Sequence, residues 1–136
     1  MPEPARSVAV VVLRADTPDL LVLGHVDGSP AHLPADVIRA DETPEAAAAR
    51  VLLEATGVRG LMPRLAGVID ESLGADAARR WVFLFDAPAG LGEQWPASCV
   101  CGKPGRCRWD VLDTDALAPE HRPWRETVRT IMDIES

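Results

Sequence analysis

Positive charge is scarce in this sequence of 136 residues. It has 14 Lys and Arg against 21 Asp and Glu, a formal net charge of −7, and Lys103 is its only lysine. A nonspecific nucleic-acid or anionic-membrane surface needs clustered positive charge, so the balance argues against a nucleic-acid polymer or a membrane as partner. A phosphate-bearing small molecule remains compatible with it, because local residues determine the charge of a pocket.

Cysteines and long apolar runs are also few. Three Cys is a low, odd count, which favours a reducing cytoplasm over a disulfide scaffold. No apolar run approaches the length that spans a membrane, and the apolar stretch at residues 8–13 is predicted to be a strand, not a signal peptide. Length and the 47% hydrophobic content predict a single domain over residues 1–136.

Apolar, β-branched segments separated by turn residues predict strands at residues 7–14, 20–26, 65–72, 80–86 and 106–112. The first two are expected to form an antiparallel hairpin, and residues 32–34 a short extended piece. The Pro- and Gly-rich segment 87–104 is predicted to be a long loop, and residues 123–134 a terminal helix. This order predicts an α/β (α+β) fold in which helices pack on a mixed sheet.

The clearest helix is predicted over residues 44–56. Thr43 is a good N-cap, Pro44 suits the first helical position, and the Ala-rich run that follows favours helix. Gly57 stands where a helix commonly ends.

The segment that contains this helix, residues 36–58, reads DVIRADETPEAAAARVLLEATGV. It resembles the Nudix box, which is Gly, five residues, Glu, seven residues, and then Arg-Glu-apolar-any-Glu-Glu-any-Gly-apolar. Glu42, Arg50, Glu54 and Gly57 match fixed positions of that pattern. The preceding Leu-Pro at residues 33–34 is similar to the start of the Leu-Pro-Gly-Gly of the family.

Three positions depart from the pattern: Asp36 replaces Gly, and Val51 and Ala55 replace Glu. Residues 51, 54 and 55 share one helix face, where three Glu would form a carboxylate cluster for metal. The degenerate box therefore retains Glu54 alone as candidate catalytic residue and metal ligand. Asp36 and Glu93 are further candidate metal ligands.

The resemblance to the Nudix (MutT-like) hydrolase family implies an α/β/α sandwich with a mixed sheet packed between helices. It also implies a Mg²⁺- or Mn²⁺-dependent pyrophosphohydrolase that cleaves a nucleoside diphosphate joined to another group. Glu42, Arg50 and Gly57 are then structural residues of the box, and an Arg50–Glu42 ion pair is expected. Glu54 is four residues from Arg50, so it is either a further structural partner of that arginine or a metal ligand.

Other residues offer weaker candidates. Arg80 is a candidate substrate contact, and because Arg79 is its neighbour in a strand, the two should point to opposite faces. Trp95 either stacks on a nucleobase or anchors its loop to the core. The spacing of Cys99, Cys101 and Cys107 lacks the Cys-x₂₋₄-Cys pair of structural zinc sites, so zinc is not expected.

The sequence leaves three functions open. The first is a hydrolase with weakened or rerouted metal-dependent activity. The second is a catalytically silent Nudix fold that binds a small nucleotide-like molecule or a protein. The third is an assembly unit such as a homodimer. The substrate is left open, because in this family loops outside the box select it.

Overall fold

The computed structural model describes residues 5–14, 19–25, 27–73, 76–88, 90–98 and 104–135. The strands are β1 (Ala5–Leu13), β2 (Asp19–His25), β3 (Ala35–Val37), β4 (Arg64–Leu73), β5 (Asp76–Asp86), β6 (Gln94–Ser98) and β7 (Pro104–Val111). The helices are α1 (Pro44–Thr56) and α2 (Arg122–Glu135), and a 3₁₀ turn at Pro119–His121 leads into α2.

The strands form one sheet in the order β4-β5-β1-β2-β7-β6, with β3 beside the start of β1. The β1 and β5 strands are parallel, whereas β1 pairs antiparallel with β2, which confirms the predicted hairpin. The remaining strand pairs are antiparallel as well, so the sheet is mixed, as predicted.

Both faces of the sheet are covered, and β1 contributes to both cores. Val8, Val10 and Val12 pack in a core with α1, whereas the alternate residues Ala9, Val11 and Leu13 pack in a core with α2. A strand buried on both faces is a continuous apolar run in sequence, which explains the β1 pattern. The predicted α/β/α sandwich is confirmed.

Local chemistry fixes the ends of α1. The Thr43 hydroxyl accepts a hydrogen bond from the Ala46 amide at 3.2 Å, and Gly57 adopts a left-handed φ of 78°. The Gly57 amide donates to the Leu53 carbonyl at 2.8 Å. These caps satisfy backbone groups that would otherwise lack partners, and they hold the helix to the predicted bounds.

The loop predicted at residues 87–104 is wrong in part, because it contains strand β6. Among the described strands, β6 lies at the sheet edge and pairs with β7 alone. An edge position tolerates Pro96, although proline in a sequence is usually a sign of a turn or a loop. In the described part of the chain, neither helix is long and apolar enough to cross a membrane.

Candidate functional site

Arg50 organises the loop that leads into α1. It donates to both Glu42 carboxylate oxygens, at 2.7 and 3.0 Å, which is the pair expected from the sequence. It also contacts Asp36 at 3.4 Å and Glu54 at 3.3 Å, and donates to the Val37 carbonyl at 2.9 Å. One guanidinium therefore joins the helix to β3 and to the loop between them.

Arg50 and Glu42 each shift the pKa of the other. The hydrogen bond from Arg50, followed by one from the Arg39 amide, lowers the pKa of Glu42 to about 2. In turn, hydrogen bonding to Glu42 raises the pKa of Arg50 well above its usual value, against the effect of burial. Glu42 and Arg50 therefore remain charged at neutral pH and act as a structural tie.

The face of α1 that would hold metal offers few ligands. Val51 and Ala55 are 4% and 9% exposed, belong to the core on the α1 side, and have no donor atom. Glu54 is exposed, and Arg50 at 3.3 Å and Arg39 at 3.7 Å engage its carboxylate. Among the described residues, no three His, Cys, Asp or Glu side chains are grouped to hold a metal ion. This face of α1 therefore lacks the carboxylate ligands with which the Nudix box binds metal.

The same face lines an open pocket of about 530 Å³, here called the box pocket. Val51 and Ala55 of α1 give this pocket an apolar part, and Leu33 is a further apolar lining residue. Two carboxylates, Asp36 and Glu54, also line it. The remaining polar and aromatic lining residues are Ser7 of β1, His32 of the segment between β2 and β3, Arg80 of β5, His121 of the 3₁₀ turn and Trp124 of α2.

Arg80 is held rigidly in this pocket. Its guanidinium lies 4.3 Å from the Trp124 ring centre, and its Nε donates to Glu71 at 2.8 Å. The indole Nε1 of Trp124 donates to the other oxygen of the same carboxylate, also at 2.8 Å. The charge of Arg80 is therefore shared with Glu71, which weakens its attraction for a second anion.

His121, in the 3₁₀ turn before α2, is a buried imidazole that lines the pocket. Its Nδ1 accepts a hydrogen bond from the Leu33 amide at 2.9 Å, which assigns the ring proton to Nε2. Burial, followed by electrostatic repulsion from His32 and Arg80, lowers the pKa of His121 to about 3. The ring is therefore a neutral donor at physiological pH. Only the fold brings it to Leu33, so no local signal could have found it.

Two candidates from the sequence lie away from the box pocket. Glu93 pairs with Arg14 at 2.9 Å, just beyond the end of β1, and this contact lowers its pKa. Ser7, which lines the pocket, lies near the start of the same strand. Six residues of β-strand separate Ser7 from the end of β1, a distance of about 20 Å. Trp95 donates from Nε1 to the Thr56 carbonyl at 2.7 Å and anchors the end of α1.

The structure therefore brings Asp36, Glu54 and Arg80 together in one pocket, but does not bring Glu93 or Trp95 to it. Arg79 pairs with Asp70 at 2.9 Å, whereas Arg80 faces α2, so the two arginines lie on opposite sides of the sheet.

Cys107, the one cysteine among the described residues, lies buried in the core and does not line this pocket. Burial in the core raises the pKa of Cys107 to about 11, so its thiol is protonated. Cys99 and Cys101 lie outside the described residues, and the expectation about zinc stays a prediction.

A mixed sheet between two helices, with an arginine that ties a loop carboxylate to the following helix, defines a Nudix-type α/β/α domain. The model of the NUDIX domain family matches residues 3–128, so the chain belongs to this family. A comparison with curated proteins found no match.

Solved structures share the fold at low identity. A NUDIX hydrolase from Nitrosomonas europaea matches with a TM-score of 0.69 and 20% identity, over 94% of this chain and 90% of that one. A MutT NUDIX hydrolase from Burkholderia pseudomallei gives 0.71 and 21%, over 93% and 99%. The NUDIX domain of Shewanella oneidensis NrtR, complexed with ADP ribose, gives 0.72 and 16%, over 97% and 90%.

Proposed function

We propose that this chain binds a small nucleotide-like molecule in the box pocket without help from a metal ion. The observation that carries this proposal is the apolar wall at Val51 and Ala55, where the family pattern has Glu. Apolar lining with a few fixed polar groups is typical of small-molecule sites. The NrtR domain is a structural relative that was crystallised with ADP ribose, which supports a ligand of this class.

The polar groups suggest how such a ligand lies. An uncharged ring, such as a nucleobase, fits against Val51 and Ala55, because burying apolar surface favours it there. The Nε2–H of neutral His121 then donates to a carbonyl or ring nitrogen of that base. Phosphate groups are expected away from Asp36 and Glu54, since like charges repel.

Thermal-shift measurements in excess EDTA test this proposal with adenosine, AMP, ADP and ADP-ribose and their guanosine counterparts. At least one compound should raise the melting temperature with saturation. Ala55→Phe should remove most of that shift, because its ring occupies the pocket. Leu53→Phe is the matched control: it makes a similar change on the same helix, at a residue that is 44% exposed and outside the pocket.

The proposal fails if no compound in the panel raises the melting temperature in EDTA. It also fails if Ala55→Phe retains the full shift while its own melting curve shows a folded protein, because binding would then lie elsewhere.

The second candidate is a metal-dependent pyrophosphohydrolase of weakened activity. The observation that favours it is that Asp36 and Glu54 both line the box pocket and share Arg50. The NUDIX family generally uses divalent metals such as Mg²⁺, but the α1 face alone does not supply the ligands. If the chain has this function, product release from nucleoside diphosphate derivatives should depend on Mg²⁺ or Mn²⁺.

Glu54→Gln should then abolish release, whereas Glu45→Gln, an exposed change in the same helix, should leave it intact. Equal rates in the two variants would exclude Glu54 from the chemistry.

The homodimer and the cytoplasmic location remain predictions. Light scattering over a range of concentrations tests whether the chain is a homodimer.

A further inference from the structure

A second pocket, of about 400 Å³, lies beside β2, β6 and β7 and is here called the distal pocket. It shares no lining residue with the box pocket. Its wall combines the end of β2 and the loop after it with β6 and β7, and its lining residues include Gly24, Gln94, Arg106, Arg108 and Asp115.

Two arginines from β7 face this pocket together. Arg106 and Arg108 are two residues apart in a strand, so they point to the same side, with Cα atoms about 7 Å apart. Cys107 between them points into the core on the α1 side, which fixes the arginines on the face toward α2. The wall therefore presents two guanidinium groups side by side.

Neither guanidinium is fully engaged. Within the described residues, Arg106 has no ion pair or hydrogen bond from its side chain, and Arg108 donates only through Nη1, to Asp110 at 3.0 Å. The carboxylate of Asp110 is fixed in turn by the Thr114 hydroxyl at 2.9 Å and the Val111 amide at 2.8 Å. Asp110 thereby orients Arg108 and shares part of its charge, whereas Arg106 shares its charge with no carboxylate among the described residues.

Gly24 provides the space for this arrangement. It lies opposite Arg106 in the β2–β7 register, and a Cβ atom at Gly24 would lie 2.6 Å from Nε of Arg108. The Arg108 side chain therefore crosses β2 where there is no side chain. Any larger residue at position 24 would displace the guanidinium.

We propose that the distal pocket binds the phosphate group of a small phosphorylated molecule through Arg106 and Arg108. Two guanidinium forks offer more donors than one carboxylate accepts, whereas the oxygens of a phosphate monoester can use both. Asp115 is the only acidic residue among the described lining residues, and Gln94 adds an amide beside the arginines. A volume near 400 Å³ exceeds that of a phosphate ion and leaves room for an organic body. This inference is independent of the function proposed for the box pocket.

The experiment titrates the folded chain with inorganic phosphate, ribose 5-phosphate and acetate at constant ionic strength. Backbone amide chemical shifts report the location of binding, and calorimetry reports affinity. Saturable shifts are expected in β7 and in residues 28–31 with both phosphates, but not with acetate. Arg106→Gln should weaken ribose 5-phosphate binding by about tenfold or more, the scale of a lost charge-assisted contact. Gly24→Ala should weaken it as well by moving Arg108.

Arg59→Gln is the matched control, because it removes the same charge from an exposed residue that lines neither pocket. The proposal is overturned if phosphate produces no saturable shift in β7, if Arg59→Gln weakens binding as much as Arg106→Gln, or if acetate binds as tightly as phosphate. The wild-type titration decides the first of these outcomes without any variant.

Discussion

At the residue scale, the box is organised by one guanidinium. Arg50 meets three carboxylates and a backbone carbonyl, and its contact with Glu42 is the shortest. The sequence could predict that pair because both residues match fixed positions of the box. It could not predict the role of His121, whose partner Leu33 is 88 residues away along the chain. A contact of that separation arises only from the complete fold.

The depressed pKa of Glu42 gives the stability a pH dependence. A carboxylate whose pKa is lowered by folding contributes stability above its unfolded pKa, and this contribution is lost as pH falls. For Glu42 the loss should occur between pH 4.5 and about 2. The free energy of unfolding is measured at each pH by urea unfolding followed by circular dichroism. In Glu42→Gln it should depend less on pH over this range. Glu45→Gln should keep the pH dependence of the wild type. The same pH dependence in all three proteins would contradict the structural role of the Glu42–Arg50 pair.

The buried imidazole of His121 should stay neutral at physiological pH. Its folded pKa of about 3 lies below the usual 6.5, so the unfolded chain binds the proton more readily. Stability should therefore fall as the pH drops from about 6.5 towards 3. The ring resonances of His121 in two-dimensional NMR should not titrate between pH 5 and 8. A midpoint near 6.5 would show that the ring is open to solvent and protonates freely.

At the element scale, predictability follows from how local the cause is. The α1 bounds are set by Thr43 and Gly57, which act on their immediate neighbours. By contrast, β6 is five residues long, contains Pro96, and exists only because β7 lies beside it. A strand defined by a distant partner leaves little trace in its own sequence.

The altered face of α1 can be tested by restoring its acids. Val51→Glu together with Ala55→Glu places three carboxylates at i, i+3 and i+4 with Glu54, a cluster suited to a divalent ion. Mn²⁺ should then raise the melting temperature of this double variant and not that of the wild type. Calorimetric titration with Mn²⁺ gives the affinity.

A matched control is Ala49→Glu with Leu53→Glu, which adds the same charge at the same spacing on the exposed side of α1. Mn²⁺ should leave its melting temperature unchanged. If the first double variant is folded but ignores Mn²⁺, the alignment of this helix with the Nudix box is wrong.

At the scale of the whole molecule, one strand links the two halves of the interior. Val10 and Val11 are both fully buried, yet they belong to cores on opposite faces of the sheet. The sequence predicted a helix-covered mixed sheet because the element order leaves few other architectures. It could not predict which residues each helix covers, since that depends on sheet order.

Because β1 serves both cores, the molecule should unfold as one unit. Val10→Ala and Val11→Ala should each lower the free energy of unfolding by about 2 kcal/mol. Far-UV circular dichroism and tryptophan fluorescence should report the same transition in both variants. Val111→Ala, at a residue that is 60% exposed, should change stability by less than about 0.5 kcal/mol. Separate transitions by the two probes would show that the faces unfold independently.

The valine and alanine on the pocket side of α1 also change what determines the fraction of box pockets that hold a ligand. An enzyme removes its ligand by converting it, so the bound fraction reflects turnover as well as supply. On the proposed function, a molecule in the box pocket leaves in the form in which it arrived. The bound fraction then depends on the free concentration of that molecule, so this domain would act as a sensor of its concentration.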